Sequence, residues 1–207
     1  MKKLIYPFFY MISTSFMTAG EATNQYLFPK NLMFENYIRV WTTSNFQQYT
    51  INSLIISSII VIGILFTSIP AAYAFARYRF RLGEDIAFTI LSFRFAPPLL
   101  VLLPLTLYFE DIGLSNTYTG LIWVYQLISL PLILWIVRGY FEDISPDIES
   151  AYRLAGHSWL QTFLKISIPL ARPGIAAAGL LSFIFAWNNF VFALVLASAD
   201  KQPVTVG

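Results

Sequence analysis

The stretch INSLIISSIIVIGILFTSIPAAYAFA, Ile51–Ala76, runs for 26 residues without an Asp, Glu, Lys, Arg or His. As a helix it would reach about 39 Å at about 1.5 Å per residue, more than the roughly 30 Å hydrocarbon core of a bilayer. Outward from it, Thr117–Val137 and Gly174–Ala197 are also long and apolar enough to span. Ile86–Phe109 is of similar length but carries Arg94 and three prolines, Pro97, Pro98 and Pro104. Leu4–Met17 has only 14 residues, including Ser13, Thr14 and Ser15. It would reach about 21 Å. It reads as the outer half of a first span whose beginning lies outside this chain. A signal-peptide core behind Lys2 and Lys3 is the other reading, but no small-x-small cleavage site follows.

Composition agrees. Of 207 residues 57% are apolar and 12% charged, with a mean hydropathy of +0.64. A soluble domain carries about 25% charged residues. The 19 Phe, 12 Tyr and 5 Trp leave too little polar surface for a water-soluble globule. The expected fold is an all-α integral membrane protein, a polytopic helical bundle in one domain over 1–207. Thirteen Lys and Arg against 11 Asp and Glu is too even for a nucleic-acid binder. Having no Cys, the chain has no disulfide, thiol nucleophile or Cys-ligated metal.

Charge placement sets an expected topology. With a cytoplasmic N-terminus the inner segments hold nine cations: Lys2, Lys3, Arg77, Arg79, Arg81, Arg138, Arg153, Lys165 and Arg172. The outer ones hold three, Lys30, Arg39 and Lys201. That three-to-one bias is what the positive-inside rule asks for. Thr18–Thr50 would then lie outside and the loop Gly139–Pro173 inside. Five spans would leave the C-terminus outside, a few residues beyond a span and with no polar tail. A chain shortened at both ends is the expectation, against a true five-span protein.

The inner loop is the most specific stretch. Ser145-Pro146-Asp147 predicts a helix start: Ser can cap, Pro suits the first helical position, and Asp147 and Glu149 suit the dipole. Ile148, Ala151, Tyr152 and Ala155 follow as one apolar stripe, and Gly156 stops the helix. Ser158-Trp159-Leu160-Gln161 predicts a capping box that opens a second helix, with Leu160, Phe163 and Leu164 on its apolar face. Pro169 and Pro173 then break the backbone before the next span. Two short amphipathic helices need cover, either from the membrane and the protein's own spans or from a cytoplasmic partner.

Ser150-Ala151-Tyr152, Gly156, Ile166 and Pro169 resemble the EAA loop of ABC-importer permeases: Glu-Ala-Ala, a Gly six residues after the Glu, then Ile-x-Leu-Pro. Ser150 stands where that Glu belongs, with Glu149 one residue early. Tyr152 replaces the second Ala, Ala155 a frequent Asp, and Ile168 the Leu. The likeness extends, in order, to Ala71-Ala72-Tyr73-Ala74-Phe75-Ala76-Arg77, Pro97-Pro98 with Leu103-Pro104-Leu105, Leu130-Pro131-Leu132 and Phe183–Phe190. It is closest to the maltose-type carbohydrate permeases, members of the binding-protein-dependent inner-membrane components. The resemblance implies a type I importer permease with six spans, five visible here. It implies half of a permease pair, with a cytoplasmic ATPase dimer docked on the loop (Glu149, Ser150, Ala151, Tyr152, Gly156, Ile166, Pro169) and an extracytoplasmic solute-binding protein. The alternative is a channel or carrier that uses no ATPase.

No Gly-x-x-x-x-Gly-Lys-[Ser/Thr] loop occurs, so ATP would be bound by a partner and no cofactor by this chain. The apolar spans contain no Asp or Glu, which weighs against a proton-driven carrier. His157, the only His, lies in the loop, so neither a His-Glu-x-x-His metal site nor a His-based hydrolase is expected. The chain reads as a transport subunit rather than an enzyme. Arg94, the one intramembrane charge, either bonds carbonyls freed at Pro97-Pro98 or lines a pathway. Asn188 and Asn189 either bond between helices or bind sugar hydroxyls, with Trp187 and Phe190 stacking on the ring and Gln126 and Ser129 as weaker candidates.

Overall fold

The computed structural model describes residues 2–24, 26–78, 81–189, 191–197 and 203–206, and of 2–4, 98 and 99 the backbone only. Every regular element among the described residues is helical. Two compact units divide the chain, 1–48 and 49–207.

The first unit holds α1 (Lys2–Ser15), α2 (Ala19–Thr23) and α3 (Glu35–Thr43). The last carbonyls of α1 lack helical partners, and Asn36 of α3 supplies them: its amide donates to Ser15 O at 3.1 Å and Met17 O at 2.9 Å. Thr18 and Glu21 form a capping box that starts α2. Phe16 packs against the rings of Phe34 and Tyr37. The expected partial span Leu4–Met17 corresponds to the 14-residue α1.

The 32-residue α4 (Phe46–Arg77), in the second unit from Tyr49 on, buries Ile56, Ile60, Ile64 and Tyr73 together with polar side chains. Asn52, Ser53, Ser57 and Ser68 are buried, while Ile55, Ile59 and Ile62 are exposed and Phe66 is 81% exposed. Polar groups inward and large apolar ones outward suit a surface that meets lipid. Then come α5 (Gly83–Ser92), a 3₁₀ turn (Phe93–Phe95) and α6 (Pro98–Asp111). This predicted span is bent by 93° between Gly83–Phe95 and Leu100–Asp111. Proline removes the N–H that would continue a helix, and α6 restarts with Pro98 in its first turn.

The unit packs around α7 (Tyr118–Glu142), which α5, α11 and α12 all contact. Leu121, Val124, Tyr125, Ile133, Val137 and Phe141 of α7 are buried, and Trp123, Leu127 and Trp135 face outward. At its inner end Arg138 is buried, its guanidinium bonded to Glu84 of α5 and Glu142 and lying 5.5 Å over the Trp135 ring. The loop follows as α8 (Pro146–Leu154), α9 (Trp159–Thr162), a π-helical turn (Phe163–Ser167) and α10 (Ile168–Leu170). The chain turns 71° into α11 (Arg172–Asn188) and ends its described helices with α12 (Val191–Leu196).

Both α4 and α7 are long and apolar enough to cross a membrane alone; the α5–α6 pair and the α9–α11 run pass as bent spans. One expectation changes. Gly174–Ala197 was read as one continuous span, but the helix stops at Asn188, and Asn189 has extended backbone (φ −78°, ψ 114°). Hydropathy does not register the break because the residues after it are again apolar.

Candidate functional site

The loop between α7 and α11 forms as its local chemistry dictates. Ser145 caps α8 by accepting from Asp147 N, and Pro146 stands in the first turn. Gly156 has φ +91°, the left-handed conformation that glycine adopts without penalty. Ser158 and Gln161 make the expected capping box. Across the Gly156 elbow, Tyr152 stacks on His157 with centroids 3.9 Å apart.

The loop has two unlike faces. Ile148, Ala151, Leu154, Ala155, Leu160 and Leu164 are exposed, Leu154 to 88%. Thr162, Phe163 and Ser167 are buried. The apolar face expected to contain Leu160, Phe163 and Leu164 together is therefore split. Phe163 turns to the spans, 4.8 Å from the Tyr73 ring and 6.5 Å from that of Phe141. Its two apolar neighbours stay uncovered.

Glu149 is only 2% exposed, so it offers no surface to a partner and differs in that from its expected place among docking residues. Its Oε2 accepts from Tyr73 Oη at 2.9 Å and Arg77 Nε at 3.0 Å. Its Oε1 accepts from Ser167 Oγ at 2.9 Å and meets Arg77 Nη2 at 3.0 Å. Arg77 Nη2 also donates to Ile144 O at 3.0 Å. A carboxylate has about four acceptor sites, and all are used. Burial alone would push this carboxyl up; hydrogen bonds from Arg77, Ser167 and Tyr73 outweigh it and hold the group below the usual carboxylate range. The sequence reading missed Tyr73, Arg77 and Ser167. One signal was available: Tyr73 and Arg77 stand at i and i+4 on one face of α4. Ser150, Tyr152, Ile166 and Pro169 are half-buried, and Ala151 and Gly156 exposed.

The intramembrane candidates separate. Trp187 and Asn188 line a cleft of about 270 Å³ with Leu54, Phe183 and Ile184, and Trp187 stacks on Phe183 at 5.6 Å. The Asn188 amide donates to Ile184 O one turn back in its own helix, at 2.8 Å, rather than to another helix. Asn189 acts through its backbone: its carbonyl accepts from Tyr125 Oη at 3.1 Å and Thr205 Oγ1 at 3.2 Å. Gln126 packs against α4 at Gly63, where a Cβ would overlap its amide. Ser129 is buried on α7, and Phe190 lies outside the described residues. Arg94 rests 5.0 Å over the Phe185 ring and lines a second, apolar cavity of about 390 Å³ with Leu127, Pro131 and Phe192. It meets no described carbonyl at hydrogen-bonding distance; the ring face takes the charge instead.

A helical bundle with apolar outer faces and a two-helix loop bonded to its long helices fits a multi-pass membrane permease. The chain belongs to the family of binding-protein-dependent transport system inner membrane components, whose model matches residues 68–205. It is 34% identical, over 98% of its length and 73% of the relative's, to the trehalose/maltose transport system permease protein of Thermococcus litoralis. To the diacetylchitobiose uptake system permease protein of Streptomyces coelicolor it is 30% identical over 99% of this chain and 68% of that one. In structure it is similar to a chain of a bacterial ABC transporter involved in the import of the acidic polysaccharide alginate. There the TM-score is 0.83 and the identity 29%, over 98% of this chain and 72% of that one.

Proposed function

We infer that the chain is the transmembrane subunit of an ATP-binding-cassette importer for a carbohydrate, one half of a permease pair. ATP is bound and hydrolysed by a separate cytoplasmic ATPase dimer, and an extracytoplasmic binding protein delivers the solute. In this reading the N-terminus is cytoplasmic and five of six spans are present. Sugar-transport relatives support the solute class. The observation that carries the mechanism is the loop's division of labour. One face is bonded to α4, while Ile148, Leu154, Leu160 and Leu164 stand uncovered on the other. Apolar surface of that kind marks a protein interface, and its short helices fit a cleft on the ATPase. ATPase closure then moves the loop and the spans fixed to it, a rigid-body route to alternating access.

Of the membrane residues, Trp187 and Asn188 suit a sugar best: an aromatic face and an amide on one open cleft. The test is co-purification of the ATPase subunit with the permease pair, then uptake of labelled trehalose and maltose into proteoliposomes with ATP inside. Retained ATPase and ATP-dependent uptake support the reading. Sugar flux that does not depend on ATP would instead favour a channel or carrier.

A further inference from the structure

We propose that Glu149 is a positioning residue, a buried joint that makes the loop and the inner end of α4 one rigid lever, and that it takes no part in the ATPase contact. This rests on the loop being the coupling element. Three separate segments meet on this one carboxylate: α4 through Tyr73 and Arg77, α8 through Glu149 itself, and the π-helical turn through Ser167. A loop held only by apolar packing could slide on the spans, because such contacts are not directional. A side-on guanidinium pair and two hydroxyl donors fix both distance and orientation. The Phe141, Trp159 and Phe163 rings pack on the Tyr73 ring, whose hydroxyl bonds the buried carboxylate. Arg77 also holds Ile144 O, so the segment that leads into α8 is tied to the same cation.

The docking face and the joint are thus different residues of one loop. Ile148, Leu154, Leu160 and Leu164 face outward, whereas Glu149, Phe163 and Ser167 face the spans. Force applied to the first set reaches α4 through the second, with the Trp159 ring on Tyr73 and the Arg77–Ile144 bond beside it.

Pulsed electron resonance on the assembled complex tests this without any sugar. The chain has no cysteine, so Phe66→Cys on α4 and Arg153→Cys on α8 give one defined pair of spin labels. Both native residues are exposed, and neither is in the joint or on the apolar docking face. A rigid lever predicts one narrow distance population, the same with and without ATP. Glu149→Gln should leave ATPase co-purification unchanged but broaden or shift the distribution by about 2 Å or more. Ser167→Ala, which removes a single donor, should give a smaller change and guards against a Glu149 variant that fails to insert. Exchange of the charges, Glu149→Arg with Arg77→Glu, should narrow the distribution again, because the two hydroxyls can accept as well as donate. A wild-type distance that changes with ATP would overturn the proposal, and so would a Glu149→Gln distribution like wild type or one that the exchange leaves broad. Loss of the ATPase from Glu149→Gln at normal membrane levels would place the acid in the docking contact and likewise overturn it. Failure of the wild-type permease to retain an ATPase would instead refute the importer reading, and the label pair would still report on the joint.

Discussion

The loop joint and the break at Asn189 each place a polar group between packed segments, and they satisfy it with different strengths. At the joint, a buried anion is saturated by an arginine, a tyrosine and a serine. At the break, one backbone carbonyl is shared by two neutral hydroxyls, those of Tyr125 and Thr205. Charge-assisted bonds are roughly twice as strong as neutral ones, and a buried ion that loses its partner is far costlier than an amide that does. The joint is therefore built to hold. The break is held by neutral bonds alone.

The largest effect that separates them is loss of the cation. Arg77→Met should keep the stem's packing yet leave Glu149 buried without its counter-ion, a loss of about 3–5 kcal/mol for such pairs. Hydrogen exchange should show faster opening of Pro146–Leu154 with little change in Tyr118–Glu142. An unchanged exchange rate in α8 would break the comparison. The same joint has a signed pH dependence. The folded-state pKa of Glu149 is depressed below the ordinary 4.5. Its stabilisation is therefore fully present above about pH 4.5 and is lost as pH falls through the depressed value. Loop opening, read from exchange corrected for its base-catalysed intrinsic rate, should be flat near neutrality and rise only in acid. Glu149→Gln should remove this acid-dependent rise.

At the break the effects are smaller and coupled. Tyr125→Phe or Thr205→Val alone should cost about 0.5–1.5 kcal/mol, because the other hydroxyl still satisfies Asn189 O. Together they leave a half-buried carbonyl without either hydroxyl, so the double variant should lose more than the two singles added. Thermal denaturation in detergent of the four proteins measures this. Strict additivity would mean that the two hydroxyls do not share one acceptor's fate.

What could be read without coordinates follows the range of the interactions involved. The long apolar helices α4 and α7 were legible because roughly 20 consecutive apolar residues have few other uses. The bend before α6 was legible because Pro97 and Pro98 cannot continue a helix. The loop's two helices were legible because Ser145, Pro146, Gly156, Ser158 and Gln161 act on neighbours a few residues away. The joint was not, since Tyr73, Arg77 and Ser167 lie 76, 72 and 18 residues from Glu149. The break at Asn189 was misread as the interior of a span because both flanks are apolar and the stabilising hydroxyls come from far along the chain. The Asn188 amide, expected to bond another helix or a sugar, bonds Ile184 O within its own helix while the residue still lines the cleft.

The smallest expected effects concern two left-handed residues in the second unit, and they carry opposite signs. Gly156 has φ +91° and Leu82, just before α5, has φ 75°. An L side chain in this region costs roughly 1–2 kcal/mol, because Cβ crowds the following carbonyl. A Cβ at position 156 would meet nothing within 4 Å, so Gly156→Ala should carry that conformational cost and no clash. It should weaken ATPase recovery by turning α8 relative to α9 while the protein remains inserted, and Gly156→Val, branched at Cβ, should do the same more strongly. Leu82 already bears the strain with a side chain that is 62% exposed. Replacement by glycine would relieve it but add about 0.5–1 kcal/mol of unfolded-state freedom, leaving little net change. Asparagine tolerates the left-handed region and keeps a side chain, so Leu82→Asn should stabilise by about 0.5 kcal/mol. A small rise in the midpoint of thermal unfolding, with Glu84 still paired to Arg138 and ATPase recovery unchanged, is the expected result. A fall would mean that the apolar side chain of Leu82 contributes more, through lipid or a neighbouring subunit, than its backbone strain costs.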